Sequence, residues 1–262
     1  MNICDANKSL SLEVKKFLEN VKDVKEESTT DYLVWKWKEL DRRFNYISTR
    51  TFNHEEESSF SGADFDLELW LVGRTHHVSL AVQAKKFIKP YDSYIRKLNY
   101  PDGTKQQMTT LLAYAAATKK LPFYFIYSVP AAQTSTMCGR NNSMDSGIFM
   151  ADAKVMEEFA DGKRGKRASR DSILDASNPF HCMFCCPLSQ NGRDPASYFI
   201  SYFSEDVAAN AELSNERLPG YVKDLLREPD DVSDMEIKRG TPSRDGWEAF
   251  STVGVYDLRV DA

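Results

Sequence analysis

The chain has 262 residues, of which 42% are apolar and 28% charged, and its formal net charge is −5 at pH 7. These proportions are typical of a globular protein with a sizeable core, and they exclude a disordered or fibrous chain. The negative charge argues against a uniformly basic protein that binds nucleic acid without discrimination. No apolar run approaches the roughly 18 residues of a transmembrane helix, so we expect no membrane partner.

Two amphipathic helices are predicted first in the chain. Apolar residues recur at intervals of three and four within residues 9–22 and again within residues 29–44. Thr30 or Asp31 is the expected N-cap of the second helix, because each carries a short side chain with a hydrogen-bond acceptor. Both helices have an apolar face that is expected to pack on a core.

Residues 62–86, GADFDLELWLVGRTHHVSLAVQAKK, predict two strands joined by a turn. The first strand alternates with period two, which turns apolar and polar side chains to opposite faces of a sheet. Three carboxylates share its polar face: Asp64, Asp66 and Glu68. In the returning strand Gln83 and Lys85 share one face, whereas His76 and His77 lie at the turn and are expected to be solvated.

The remaining pattern predicts an α/β fold with a small mixed sheet flanked by helices. The expected elements are a helix at 104–119, strands at 122–129 and 147–151, a helix at 152–160, a strand at 198–203 and a short helix at 218–226. No clear linker interrupts the chain. We therefore predict a single domain over residues 1–262, with a core at about 26–160 and a C-terminal elaboration at about 161–262.

The polar face of the predicted hairpin carries the groups that phosphodiester hydrolysis requires. A divalent cation neutralises charge on the phosphate, and a further group orients or activates the attacking water. Mg²⁺ prefers oxygen ligands and keeps several waters, so Asp64 and the amide oxygen of Gln83 would suffice as protein ligands. The ammonium of Lys85, on the same face, would stabilise charge on the phosphoryl group. The ordinary alternative is a polar strand face that simply meets solvent.

A succession of short motifs supports the catalytic interpretation. They are Glu27 with Thr30 in an early helix, Gly62-Ala63-Asp64, Gln83-Ala84-Lys85, Gln107 with Leu111 and Leu112, Pro122-Phe123-Tyr124, and Leu218-Pro219-Gly220-Tyr221-Val222. In this order they resemble the PD-(D/E)xK nuclease superfamily, which has the restriction-endonuclease-like fold. The Gln-x-Lys form resembles the branch of Mrr-type restriction enzymes and bacterial defence-associated nucleases.

The resemblance implies roles for individual residues. Asp64 matches the metal-binding acid, Gln83 the second metal ligand and Lys85 the catalytic lysine. Asp66 and Glu68 would compensate for the weaker metal binding of an amide at position 83. The upstream acid stays open among four residues: Glu26, Glu27, Glu56 and Glu57. Gln107 is a secondary candidate, because it occupies a helix position from which related nucleases bring a glutamine to the site.

The residues between 85 and 120 suggest a surface that binds nucleic acid. They include eight basic residues and two acidic ones, with tyrosines interleaved at 91, 94 and 100. This combination suits a surface that follows phosphates and stacks bases. The candidate contacts are Lys86, Lys89, Arg96, Lys97 and Lys105. An ordinary solvated charge run is the other interpretation of the same pattern.

The functional expectation is thus a Mg²⁺- or Mn²⁺-dependent nuclease that acts on DNA, with a role in antiviral defence implied by the resemblance. Its rival is an inactive module of the same fold that binds nucleic acid or a protein partner. The sequence leaves a homo-oligomer open.

Five cysteines bear on the redox compartment and on metal binding: Cys4, Cys138, Cys182, Cys185 and Cys186. An odd number argues against a disulfide framework and predicts a cytoplasmic location, where thiols stay reduced. The segment HCMFCCP supplies one Cys-x-x-Cys pair and one histidine, but structural zinc needs four ligands. Its apolar neighbours favour buried thiols over a zinc site.

Overall fold

A computed structural model of the chain describes residues 2–21, 23–44, 47–51, 67–101, 103–186, 198–199, 213–226 and 252–259. Within these ranges the helices are α1 (Ile3–Asn20), α2 (Glu26–Phe44), α3 (Tyr94–Leu98), α4 (Gln106–Thr118), α5 (Ala153–Ala160), α6 (Arg170–Asp175), α7 (Cys182–Cys185) and α8 (Gly220–Leu225). The strands are β1 (Ile47–Thr51), β2 (Leu67–Val72), β3 (His76–Lys86), β4 (Leu121–Tyr127), β5 (Ile148–Asp152), β6 (Asn178–Pro179), β7 (Leu213–Ser214) and β8 (Thr252–Asp257).

The described strands form one mixed sheet in the order β1-β8-β2-β3-β4-β5-β6, and β7 pairs with the start of β3. The predicted hairpin is present, because β2 and β3 pair antiparallel with Leu67 opposite Val82. Strand β4 runs parallel to β3, which requires a crossover, and α3 and α4 occupy that connection. The predicted α/β class with a mixed sheet flanked by helices is therefore confirmed.

Strand β8 was not expected and lies inside the sheet. It runs parallel to β2 and antiparallel to β1, so it separates these two strands. The last described segment of the chain therefore belongs to the central sheet. Helix α1, upstream of the predicted core, likewise packs into the main apolar cluster through Leu10, Val14 and Leu18.

Helices cover both faces of the sheet. Leu33 and Trp37 of α2 pack on the face that carries Leu80, while Met108 and Leu111 of α4 pack on the opposite face. Every residue of β2 is buried, and in β3 only the two terminal residues are partly exposed. A polar strand face that meets solvent is therefore excluded for β2 and β3.

Several local predictions need correction. Helix α2 begins at Glu26, four residues before the expected cap, and the Thr30 hydroxyl lies 2.9 Å from the Tyr127 hydroxyl inside the protein. Tyr198 and Phe199 are helical, not in a strand. Cys4 and Cys185 form a disulfide, contrary to the expectation from the odd cysteine count. In the described part of the chain, no helix is long and apolar enough to cross a bilayer.

His77 is buried as well, against the expectation that it would be solvated. It is 1% exposed, and its ring lies 5.2 Å from the ring of Trp70. Burial lowers the pKa of His77 to about 4, because the charged imidazolium loses its hydration. The unfolded chain, with a pKa near 6.5, therefore takes up the proton first as the pH falls.

We expect His77 to make stability depend on pH between 6.5 and 4. The stability that the neutral ring supports is fully present above about pH 6.5 and is lost toward pH 4, by about 2 kcal/mol at pH 5. Urea unfolding at pH 7.5 and pH 5 measures this difference. A His77→Leu variant should show a smaller difference between the two pH values; an unchanged difference would exclude His77 as its source.

Helix α1 is docked closely against the turn that precedes β5. A Cβ atom on Gly147 would lie 2.3 Å from the backbone nitrogen of Lys15 and 2.5 Å from its Cα. The Gly147 N–H also donates to the Ser11 carbonyl at 2.9 Å. Only a residue without a side chain allows this approach.

Gly147→Ala is therefore expected to lower the free energy of unfolding by about 1–3 kcal/mol, the usual cost of overpacking. Thermal unfolding followed by circular dichroism would measure the change. Gly220→Ala is the matched control, since a Cβ at position 220 would meet nothing within 4 Å. Equal midpoints for the two variants would contradict the proposed close packing.

Candidate active site

The carboxyl end of β3 brings Gln83 and Lys85 to the sheet face that α4 covers. In the parallel ladder Gln83 lies opposite Tyr124, and Lys85 lies opposite Ile126. Gln83 is 2% exposed and Lys85 is 7% exposed. A buried lysine is costly unless its ammonium is paired, so its partners define the chemistry of this position.

Two side chains from different helices hold the Lys85 ammonium. Its Nζ donates to Gln107 Oε1 at 3.0 Å and lies 3.3 Å from Glu26 Oε1. The ring of Tyr100 adds a cation–π contact, with its centroid 5.9 Å from the same Nζ. Helix α2, strand β3 and helix α4 thus converge on one ammonium group.

Glu26 is the first residue of α2, a position where the helix dipole favours a carboxylate. Its second oxygen, Oε2, accepts the backbone N–H of Lys86 at 2.7 Å. Glu27 is exposed, so of the two adjacent candidates it is Glu26 that contacts Lys85. The other candidates for the upstream acid, Glu56 and Glu57, lie outside the described residues.

The other predicted metal ligands, Asp64 and Asp66, also lie outside the described residues. The described donors are the carboxylate of Glu26 and the amide of Gln83, both of which offer the hard oxygen atoms that Mg²⁺ and Mn²⁺ prefer. The two contacts of Glu26 use two of its roughly four lone-pair positions, which leaves acceptor capacity for a cation. The donor set fits such an ion.

Glu68 belongs to a different buried cluster. Its Oε2 lies 3.0 Å from Lys120 Nζ, while Trp70 Nε1 and the Tyr221 hydroxyl both donate to its Oε1. Lys120 also donates to the Tyr114 hydroxyl at 2.9 Å. The sequence did not indicate this cluster, which joins β2, the start of β4 and α8.

Electrostatics support the ion pair in this cluster. Burial disfavours the charged form of Lys120, but the Glu68 carboxylate and the Tyr114 hydroxyl together outweigh it, and the pKa of Lys120 is raised. Burial and the adjacent Glu68 charge also raise the pKa of Tyr221, which keeps its hydroxyl a donor. Both Glu68 oxygens are therefore occupied by protein donors.

The basic candidates differ in their surroundings. Lys97 pairs with Asp92 at 2.9 Å, and Lys105 pairs with Asp161 at 2.5 Å. Lys86 donates to the Val24 carbonyl, and burial together with the nearby Lys97 charge lowers its pKa. Two candidates are exposed to solvent: Lys89 and Arg96.

A cleft of about 620 Å³ adjoins the Lys85 site through Lys86. Its basic lining residues are Lys86, Lys89, Lys97 and Arg170, and its acidic ones are Glu19, Asp23 and Asp92. Among the predicted aromatic platforms, Tyr91 is 78% and Tyr100 is 55% exposed. Tyr94 is buried and cannot stack on a base.

Comparisons with known proteins give a family but no activity. A family model described as "Family of unknown function (DUF6615)" matches residues 3–245. No curated protein and no solved structure matches the chain.

Proposed function

This chain belongs to the DUF6615 family, and we propose that it is a metal-dependent nuclease that hydrolyses phosphodiester bonds in DNA. The observation that carries the proposal is the buried Lys85 ammonium, held by Glu26 and Gln107 on the sheet face that also bears Gln83. These residue types correspond to the early-helix acid, the Gln-x-Lys strand and the helix glutamine of the PD-(D/E)xK resemblance.

The surroundings of this group support a catalytic role. Burial alone would not, because Lys120 is also buried and paired with a carboxylate. Lys85 points its charge at a carboxylate and an amide that come from two separate helices, beside the exposed ring of Tyr100. Such preorganised donors are effective where charge develops in a transition state.

The proposed mechanism assigns a role to each residue of the candidate site. Glu26 and Gln83 would hold Mg²⁺ or Mn²⁺ together with Asp64 and Asp66. Such an ion, when bound, neutralises phosphate charge and lowers the pKa of its water. Lys85 donates to a phosphate oxygen or orients the attacking water, and Gln107 keeps the ammonium at that position. The exposed ring of Tyr100 beside Lys85 supplies a surface on which a base can stack.

The adjoining cleft supports a nucleic-acid substrate, with the exposed Lys89 as a cation in its lining. Acidic residues also line it, so electrostatic attraction is weaker than the sequence of residues 85–120 suggested. A role in antiviral defence and a cytoplasmic location belong to the same proposal. The Cys4–Cys185 disulfide argues against a reducing compartment, whereas the three remaining cysteines are thiols.

An inactive nucleic-acid-binding or protein-binding module is the second candidate. Gln83 favours it, because a neutral amide binds Mg²⁺ more weakly than the carboxylate that the superfamily usually has at this position.

The two candidates are separated by incubating the protein with plasmid, single-stranded DNA and an RNA oligonucleotide, each with Mg²⁺, Mn²⁺ or a chelator. The nuclease proposal expects DNA cleavage that depends on the ion and stops with the chelator. Retained DNA binding without cleavage under all conditions would favour the module. Cleavage of RNA alone would reject DNA as the substrate.

A further inference from the structure

All five cysteines of the chain meet at one place in the fold. Cys4 lies in the first turn of α1, Cys138 in the connection between β4 and β5, and the other three in or directly after α7. Cys4 and Cys185 are joined as a disulfide, while Cys138, Cys182 and Cys186 are not disulfide-bonded and have 0–1% exposure. Residues from three distant segments are thus brought together by the fold.

The three thiol sulfurs lie within 4.8 Å of one another, and those of Cys138 and Cys186 are 3.7 Å apart. A tetrahedral zinc site with Zn–S bonds of about 2.3 Å has sulfur–sulfur edges of about 3.8 Å. Cys182 and Cys186 stand one helical turn apart, and the Cys186 N–H donates to the Cys182 carbonyl at 2.9 Å. Two of the sulfurs are therefore fixed on one side of α7.

A polar side chain reaches the same cluster. Asn141 Nδ2 lies 3.2 Å from the sulfur of Cys182 and 3.6 Å from that of Cys138. The nitrogen and oxygen of an amide exchange positions on a half-turn, so Asn141 can offer either a donor or an oxygen ligand here. Asn141 is half-buried and the nearby Met137 is 43% exposed, so the cluster lies close to the protein surface.

We propose that Cys138, Cys182 and Cys186 bind one Zn²⁺ as thiolates, with the Asn141 side-chain oxygen in the fourth position. The ion would cross-link the β4–β5 connection to α7 and so stabilise this end of the sheet. Thiolates select zinc over magnesium, whereas the oxygen donors around Lys85 have the opposite preference. The site is independent of the proposed nuclease centre, because it shares no residue with it.

The test uses the full-length protein, purified without added reductant so that the Cys4–Cys185 disulfide stays intact. Elemental analysis and native mass spectrometry should find about one zinc ion per chain, as expected for a single closed site. After the zinc is removed, titration with Co²⁺ should produce intense sulfur-to-cobalt charge-transfer bands. The thermal unfolding midpoint should fall when the metal is removed and recover when Zn²⁺ is restored.

Variants separate this site from ordinary buried thiols. Cys182→Ser should reduce the zinc content to background and abolish the cobalt bands, while the matched double variant Cys4→Ser/Cys185→Ser should keep both. Wild-type protein that binds neither zinc nor cobalt, with three thiols reactive after denaturation, would overturn the proposal. So would zinc uptake that occurs only after the disulfide is reduced, or an iron–sulfur cluster on the same residues.

Discussion

The Lys85→Met variant is expected to cleave DNA at least about 10²–10³-fold more slowly than the wild type, the usual effect of removing one preorganised donor from a transition state. Methionine fills the buried space of the lysine stem but cannot donate to a phosphate or to the attacking water. It also leaves Gln107 and Glu26 without the cation that they hold at 3.0 and 3.3 Å. Single-turnover plasmid cleavage in saturating Mg²⁺ or Mn²⁺ measures this effect directly.

Lys89→Met is the matched control, because Lys89 is exposed and lines the adjoining cleft without contact to Lys85 among the described interactions. It should weaken DNA binding modestly and lower its salt dependence, with little change in the cleavage rate of bound DNA. Circular dichroism must show that both variants fold. A folded Lys85→Met protein that cleaves within threefold of the wild-type rate would refute the assigned role of Lys85.

The Lys120→Met variant is expected to lose about 3–5 kcal/mol of the free energy of unfolding, the usual cost of removing one partner of a buried ion pair. The Glu68 carboxylate, 1% exposed, would keep the donors from Trp70 and Tyr221 but lose its only cationic partner among the described residues. Urea unfolding at pH 7 provides the measurement. The neighbouring Lys119→Met is the control, because Lys119 is exposed at the end of α4.

The double variant Glu68→Leu/Lys120→Met distinguishes loss of the pair from loss of packing. Removing both charges should recover much of the stability that the single change costs, because no uncompensated charge remains buried. A single variant that loses less than about 1 kcal/mol would mean that water reaches Glu68 and that the cluster is not closed.

Local patterns predicted those elements whose residues alternate or repeat within one segment. The hairpin of β2 and β3, the helix around Leu111 and the buried strand β4 all have such patterns. The start of α2 was missed, since four residues of α2 precede the expected cap Thr30 and carry little apolar pattern. Strand β8 was missed because its place between β1 and β2 depends on pairing with strands far away in the sequence.

In the candidate site, too, features within one segment were predicted and contacts between distant segments were not. The Gln-x-Lys pattern predicted that Gln83 and Lys85 share one face of a strand, since this follows from the strand period. The burial of that face depends on helix α4 and was not predicted. The resemblance brought Gln107 and an early-helix acid into consideration, but only tertiary structure distinguishes Glu26 from Glu27. No local feature of the sequence indicated that Lys120 and Tyr221 would meet Glu68, because these contacts cross more than 50 positions of the chain.

The position of β8 also bears on how the protein is made. Strands β1 and β2 leave the ribosome long before residues 252–257, and until then each has a row of backbone amides and carbonyls that lacks its final neighbour. Closing this gap requires contacts of very large sequence separation, which slow folding. We therefore expect the nascent polypeptide to depend on chaperones until its last segment is synthesised, and translation that stops early to yield an aggregation-prone product.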